Sequence, residues 1–182
     1  MHFALKRLTA IALLAMGVGC TDIPEGIEPV NKFQVERYLG TWYEIARLDH
    51  SFERGLEQVS ASYARREDGG LQVINRGYDP AEGSWQEAEG KAYFAGSADS
   101  GHLKVSFFGP FYASYVVFAL PGRNYQQAYV TGYNRDYLWF LSRSPNVSRA
   151  QKQAFIEHAR ALGFAVDDLV WVKHPRTGPS SG

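Results

Sequence analysis

One cysteine in 182 residues has no partner within the chain, so no internal disulfide can staple it. Charge of either sign is not in surplus: 19 Lys and Arg stand against 19 Asp and Glu. No basic face is concentrated along the sequence, so nothing in it recruits nucleic acid. The apolar run over residues 8–18 is about half of the ~20 residues a membrane-spanning helix requires. The signatures of common catalytic machinery are missing from residues 20–182, with no H-E-x-x-H, G-x-S-x-G, Walker loop or G-x-G-x-x-G. Asp49, His50 and Ser51 are triad residue types, but adjacent residues cannot adopt triad geometry. His102, His158 and His174 are isolated and lack the spacing of metal ligands. No catalytic residue, metal or cofactor is therefore expected.

What is present begins at the N-terminus. Lys6 and Arg7 precede the apolar run, and Gly17, Val18 and Gly19 lead into Cys20. A charged region, an apolar stretch and small residues in that order predict an export signal over residues 1–19 that is then removed. The placement of Cys20 resembles the lipobox of bacterial lipoproteins, with Gly17 where Leu is usual. That resemblance implies a lipid-modified Cys20 as the new N-terminus, which also accounts for an unpaired cysteine in an exported protein. Thr21 rather than Asp follows it, and by the same resemblance this favours the outer membrane. Without residues 1–19 the chain is 163 residues long and has lost only Lys6 and Arg7 among its charges, giving 17 basic against 19 acidic residues, a net of −2. That length suits one domain.

Eleven Tyr, eleven Phe and four Trp exceed the needs of one small core and suit a barrel whose interior is lined as well as filled. Residues 20–32 hold two prolines and no periodicity, and read as a tether. The domain proper is expected over 33–174. Strand patterns recur at 41–48, 59–63, 71–75, 84–94, 103–107, 112–120, 126–133 and 137–142, separated by turns such as Glu67-Asp68-Gly69-Gly70 and Asp79-Pro80-Ala81-Glu82-Gly83. No helical period intervenes, which argues against alternating strands and helices. Ser148 and Gln151 form a capping-box pattern. Phe155, Ala159 and Leu162 follow at helical spacing, and Gly163 stands where a helix ends. Leu169 to Val172 is a short final strand, and 175–182 is expected to be a disordered tail. The fold class is thus all-β: an eight-stranded antiparallel up-and-down barrel with one C-terminal helix and a short last strand.

Three motifs carry a family resemblance. Gly40-Thr41-Trp42 resembles the G-x-W signature of the lipocalins. Gly132-Tyr133-Asn134-Arg135-Asp136-Tyr137 stands at the place of their second motif, and Arg143 at that of the third. The similarity covers nearly all of residues 20–182. Gly40, Trp42 and Arg143 are expected to be structural, with the Arg143 guanidinium over the Trp42 indole at the closed end, a contact worth ~0.5–2 kcal/mol.

Strand parity assigns an inner face. With Trp42 inward, Glu44 and Ala46 follow; with Arg143 inward, so do Leu141 and Trp139. Val59, Ala61 and Tyr63 share a face, as do Leu71, Val73 and Asn75; Leu103, Val105 and Phe107; and Ala88, Ala92 and Phe94. The rows are apolar with few polar entries, as a lipid chain requires. The lipocalin resemblance implies pocket roles for Tyr63, Asn75 and Trp139, and parity adds Phe94, Phe107 and Tyr115 as ligand-binding candidates. It further implies a fatty acid or lysophospholipid as ligand, stored or transported in envelope maintenance or under stress, by a protein held at the outer membrane through its N-terminal lipid and facing the periplasm.

Other readings stay open at this level. An enzyme acting on a bound lipid would need an acid or base in the cavity, and Glu44 is the one inward carboxylate. A haem or bilin carrier would suit the aromatic content, but no His lies on a convincing inward row. Phe52-Glu53-Arg54-Gly55 is either a ligand gate, a partner contact or a solvated loop. A homodimer is compatible with the sequence and has no signature in it.

Overall fold

A computed structural model describes residues 21–175. The expected signal, Cys20 and residues 176–182 lie outside the described residues. Eight strands run in chain order: β1 (Gly40–Leu48), β2 (Glu57–Arg65), β3 (Leu71–Asp79), β4 (Ser84–Phe94), β5 (His102–Ser106), β6 (Ala113–Ala119), β7 (Gln127–Thr131) and β8 (Leu138–Ser142). Each pairs antiparallel with the next, and β8 returns to β1, closing the barrel. Closure removes the two free edges an open sheet would have, apart from the seam where β1 and β2 diverge.

The first half of β1 pairs with β2 from Gly40 to Tyr43. Its second half, Ala46 to Leu48, pairs with the short β9 (Leu169–Trp171). This last strand therefore patches the seam where β1 and β2 diverge. Gln58 N–H donates to the Lys173 carbonyl at 2.8 Å on the other side of the patch.

Helix α2 (Arg149–Ala161) starts at Ser148, whose hydroxyl accepts from Gln151 N–H while the Gln151 side chain accepts from Ser148 N–H. This is the expected capping box, with two orphan donors satisfied reciprocally. Phe155 and Ala159 face the barrel and are fully buried. Phe155 stacks on Phe140 at 4.9 Å and meets Tyr129 edge-on at 4.9 Å. Because α2 covers the outside of β7 while the barrel fills its inside, all five residues of that strand are buried and alternation is lost. Two cores result: one between α2 and the sheet, the other inside the barrel.

Two short elements carry no periodicity to read in sequence. Helix α1 (Val35–Tyr38) is a single turn, and Val166–Asp168 forms a 3-10 turn before β9. Residues 21–32, expected as a tether, lie along the outer wall. Ile27 is buried in the helix-side core. Val30 bridges the barrel edge, donating to the Val117 carbonyl at 2.9 Å and accepting from Gly101 N–H at 2.8 Å.

The G-x-W and Arg143 motifs close one end. The Arg143 guanidinium carbon sits 3.9 Å from the Trp42 ring centre. Its nitrogens donate to the carbonyls of Thr41 at 2.8 Å and of Arg37 and Leu39 at 2.9 Å. Gly40 has φ +90°, and a Cβ there would lie 3.5 Å from Arg143 Nη1. The left-handed backbone at this position is what favours glycine.

Candidate ligand-binding site

The other end of the barrel opens into a cavity of about 660 Å³, within the range of small-molecule sites. Its walls are largely apolar side chains from β2, β3, β5 and β8, among them Val59, Leu71, Val73, Leu103, Val105 and Leu141. Loops 49–56 and 107–112 contribute to the mouth through Phe52, Phe108 and Phe111.

The floor is aromatic. Helix α1 exists to bring Tyr38 over the closed end: its ring lies 4.7 Å from Trp42, 5.1 Å from Phe33 and 5.3 Å from Tyr63. Three hydroxyls meet there. Tyr115 OH is 2.7 Å from Tyr38 OH and 2.8 Å from Tyr63 OH. Burial pushes the phenols of Tyr38 and Tyr115 well above their usual range, and that of Tyr63 upward too. All three stay neutral. Two contacts consume two of three O–H groups, so one hydrogen is not used within the trio.

One wall is charged. Arg47 Nη1 donates to Glu44 Oε1 at 2.8 Å, and Arg47 Nη2 donates to the Glu53 carbonyl at 2.7 Å. Trp139 Nε1 donates to Glu53 Oε2 at 3.1 Å. Glu44, Arg47 and Glu53 are all buried. Burial raises the Glu44 carboxyl well above its ordinary range, and Glu53 pushes it further against the pull of Arg47. Burial raises Glu53 as well, opposed by its bond from Trp139. His50 stacks on Phe52 at 4.1 Å and packs 5.1 Å from Trp139. Burial and the Arg47 charge lower its pKa to about 4, so it is neutral at pH 7.

Five of the six ligand-binding candidates, Tyr63, Asn75, Phe107, Tyr115 and Trp139, line this cavity. Phe94 does not. It has the inward parity, but β4 has by then outrun β3, whose first residue Leu71 pairs with Ala92. The Phe94 ring instead packs on the barrel's inner core. Ala46 is a second correction. A bulge between Glu44 and Ala46 shifts the register of β1 against β8, and a bulge reverses parity beyond it. Ala46 joins the core under α2, and Arg47 takes the inward place. Glu44 is inward as expected, and lines the cavity.

Parity reasoning missed Tyr38, Arg47 and Glu53. Tyr38 precedes the first strand, and Arg47 needs the bulge. Glu53 sits in a loop with an ordinary charged composition, and no local signal marks it as folding inward. Phe107 is seated by Gly90, where a Cβ would lie 2.8 Å from its ring and 2.7 Å from the Ser106 carbonyl. Only a residue without a side chain permits that approach. Among the described residues, no group of three His, Cys, Asp or Glu could hold a metal ion.

Residues 33–174 match the model of the lipocalin-like domain family. The chain is a lipocalin. It is 53% identical over 169 residues to the outer membrane lipoprotein Blc of Vibrio cholerae, covering 91% of this chain and 99% of that protein. It is 54% identical over 164 residues to Blc of Escherichia coli K12, covering 90% and 92%. Apolipoprotein D of Rattus norvegicus is 33% identical over 155 residues, 75% and 80% of the two chains. Among solved structures, insecticyanin of the tobacco hornworm Manduca sexta superposes with a TM-score of 0.66 at 20% identity, covering 85% and 88%; that likeness concerns the fold. Like the Blc lipoproteins, this lipocalin is a lipid-anchored outer-membrane protein, and its cavity is a binding site for a small hydrophobic ligand.

Proposed function

We propose that this lipocalin carries one single-chain lipid, a fatty acid or a lysophospholipid, and serves envelope maintenance by storing or transporting it, including under stress. The export signal over 1–19 is removed and Cys20 carries the acyl groups that hold the protein at the periplasmic side of the outer membrane. The observation that carries the reading is the cavity itself: a deep apolar channel, closed by Trp42 and Tyr38 at one end and open at the other. An acyl chain drawn into it gains ~0.8 kcal/mol per buried CH₂. The head group stays at the mouth, where loops leave room for it.

The charged wall supports binding over turnover. Glu44 is paired with Arg47 at 2.8 Å and Glu53 accepts from Trp139 Nε1 at 3.1 Å, so both buried carboxyl groups on this wall are already engaged within the protein. No histidine lines the cavity among the described residues, which leaves a haem iron without an imidazole ligand.

Native mass spectrometry of protein purified from membranes, with extraction and identification of the released lipid, tests the proposal. One fatty acid or lysophospholipid per barrel and a tri-acylated Cys20 are expected. A barrel holding no lipid after mild extraction, or holding a pigment, would overturn the lipid assignment.

A further inference from the structure

Four large apolar side chains are exposed on the described surface, and all four stand at the open end. Phe108 is 82% exposed, Phe111 78%, Phe52 60% and Trp85 46%. Phe108 and Phe111 belong to loop 107–112, Phe-Phe-Gly-Pro-Phe-Tyr, which has no charged residue. Both also line the mouth of the cavity, so the exposed patch and the apolar interior are continuous. Nearby charge is partly neutralised, since Arg54 pairs with Asp49 at 2.7 Å. Exposed, contiguous apolar side chains on a folded surface mark an interaction site.

The N-terminal end of the described chain says which surface this one meets. The Thr21 carbonyl accepts from Ser114 Oγ at 3.4 Å, and Ser114 Oγ is 2.9 Å from His102 Nε2. Ser114 is the second residue of β6, whose first residue, Ala113, adjoins loop 107–112. Cys20 directly precedes Thr21 in the sequence. Phe111 is three residues from Ser114, at most ~10 Å away. The closed end is the far side: β6 runs on to Ala119, roughly 17 Å below Ser114 at strand rise. The segment between anchor and barrel gives little slack, because Val30 is bonded to the wall at Val117 and Gly101.

We propose that the barrel sits mouth-down on the membrane that holds its own anchor, with Phe108 and Phe111 dipped into the outer acyl region and Phe52 and Trp85 beside them. The occupant of the patch is a lipid bilayer surface. A lipid then passes between leaflet and cavity along Phe108 and Phe111 without crossing water, and the acyl anchor and the rim bind the same leaflet together. The orientation rests on acylation of Cys20; the affinity of the rim does not.

Two measurements separate those parts. In the acylated protein the Cys20 thiol is consumed, so an introduced cysteine is the only free thiol. Phe111→Cys and, at the closed end, Arg123→Cys are each labelled with an environment-sensitive fluorophore. They are then reconstituted into 3:1 phosphatidylethanolamine–phosphatidylglycerol vesicles with brominated acyl chains. The label at 111 is expected to be quenched and the label at 123 to remain in water. Quenching at 123 instead, or at neither position, would overturn the orientation. A label at 111 shielded without quenching would assign the patch to a second copy and equally overturn it. The N-terminal mass of the same preparation identifies a failure of the anchor itself. Unacylated Cys20→Ser protein is then partitioned onto the same vesicles. Phe108→Ser with Phe111→Ser is expected to lower its partition coefficient at least about tenfold, and an unchanged coefficient would overturn the membrane-docking rim.

Discussion

Glu44 and Arg47 lie three residues apart on one strand, yet their side chains meet inside the barrel at 2.8 Å. Strict alternation would put them on opposite faces of the sheet. The bulge between Glu44 and Ala46 turns the strand and brings a cation to a wall that also bears Glu53. Removing one partner of a buried pair leaves the other charge uncompensated. Arg47→Met is therefore expected to cost up to about 3–5 kcal/mol by urea unfolding at pH 7, less as pH falls and the raised carboxyls of Glu44 and Glu53 take up protons, and Glu44→Gln in that background to recover part of the loss. A cost below about 1 kcal/mol would show that the pair adds little.

Proton linkage at this wall has a definite sign. Glu44 and Glu53 titrate above their ordinary value of 4.5 in the folded protein, so the native state holds protons that the unfolded chain has released. Their contribution is full below about pH 4.5 and is lost as pH rises through the raised native values. Glu53→Gln is expected to flatten that decline above about pH 4.5, measured as the difference in unfolding free energy from the parent. His50 acts oppositely. Its pKa falls from 6.5 to about 4 on folding, so stability drops as pH falls across that interval, and His50→Gln is expected to remove that drop.

Tyr115 links the floor, since both Tyr38 and Tyr63 bond to its hydroxyl. Tyr115→Phe leaves two buried hydroxyls without that partner, at an expected cost of about 1–3 kcal/mol. Thermal unfolding of the ligand-free protein checks this, and a midpoint unchanged from the parent would contradict the hydroxyl network.

At the closed end, Arg143→Lys keeps the charge but loses the fork that reaches Thr41, Arg37 and Leu39 together. Lys cannot replace planar, multidentate bonding. A loss of about 1–3 kcal/mol is expected, with ligand affinity unchanged because Arg143 lies beneath the floor. A large affinity change without a stability change would contradict the structural role.

The barrel was legible because its information is local and periodic. Strand alternation, glycine-bearing turns and the Ser148–Gln151 box each act within a few residues, and each element appears where those signals stand. Parity also placed Tyr63, Asn75, Phe107, Tyr115 and Trp139 on the cavity side. It failed where geometry departs from period two. A bulge moved Ala46 out and Arg47 in, whereas Phe94 keeps its inward parity and packs in the barrel core without lining the cavity. Tyr38 and Glu53 come from a single helical turn and a loop, which have no periodicity, so only the tertiary structure shows them in the site. The docking of residues 21–32 was equally hidden, since it depends on Ile27 and Val30 meeting distant strands.

Titration of the delipidated protein with a lysophospholipid, followed by Trp fluorescence and repeated on Val105→Trp, tests the central claim most directly. Val105 lines the cavity, and an indole there takes up part of its volume. The account predicts saturable one-to-one binding to the parent and at least about a tenfold weaker affinity for the filled variant, with both proteins folded by far-UV circular dichroism. Equal affinity for the two would place the lipid outside the barrel and contradict the account.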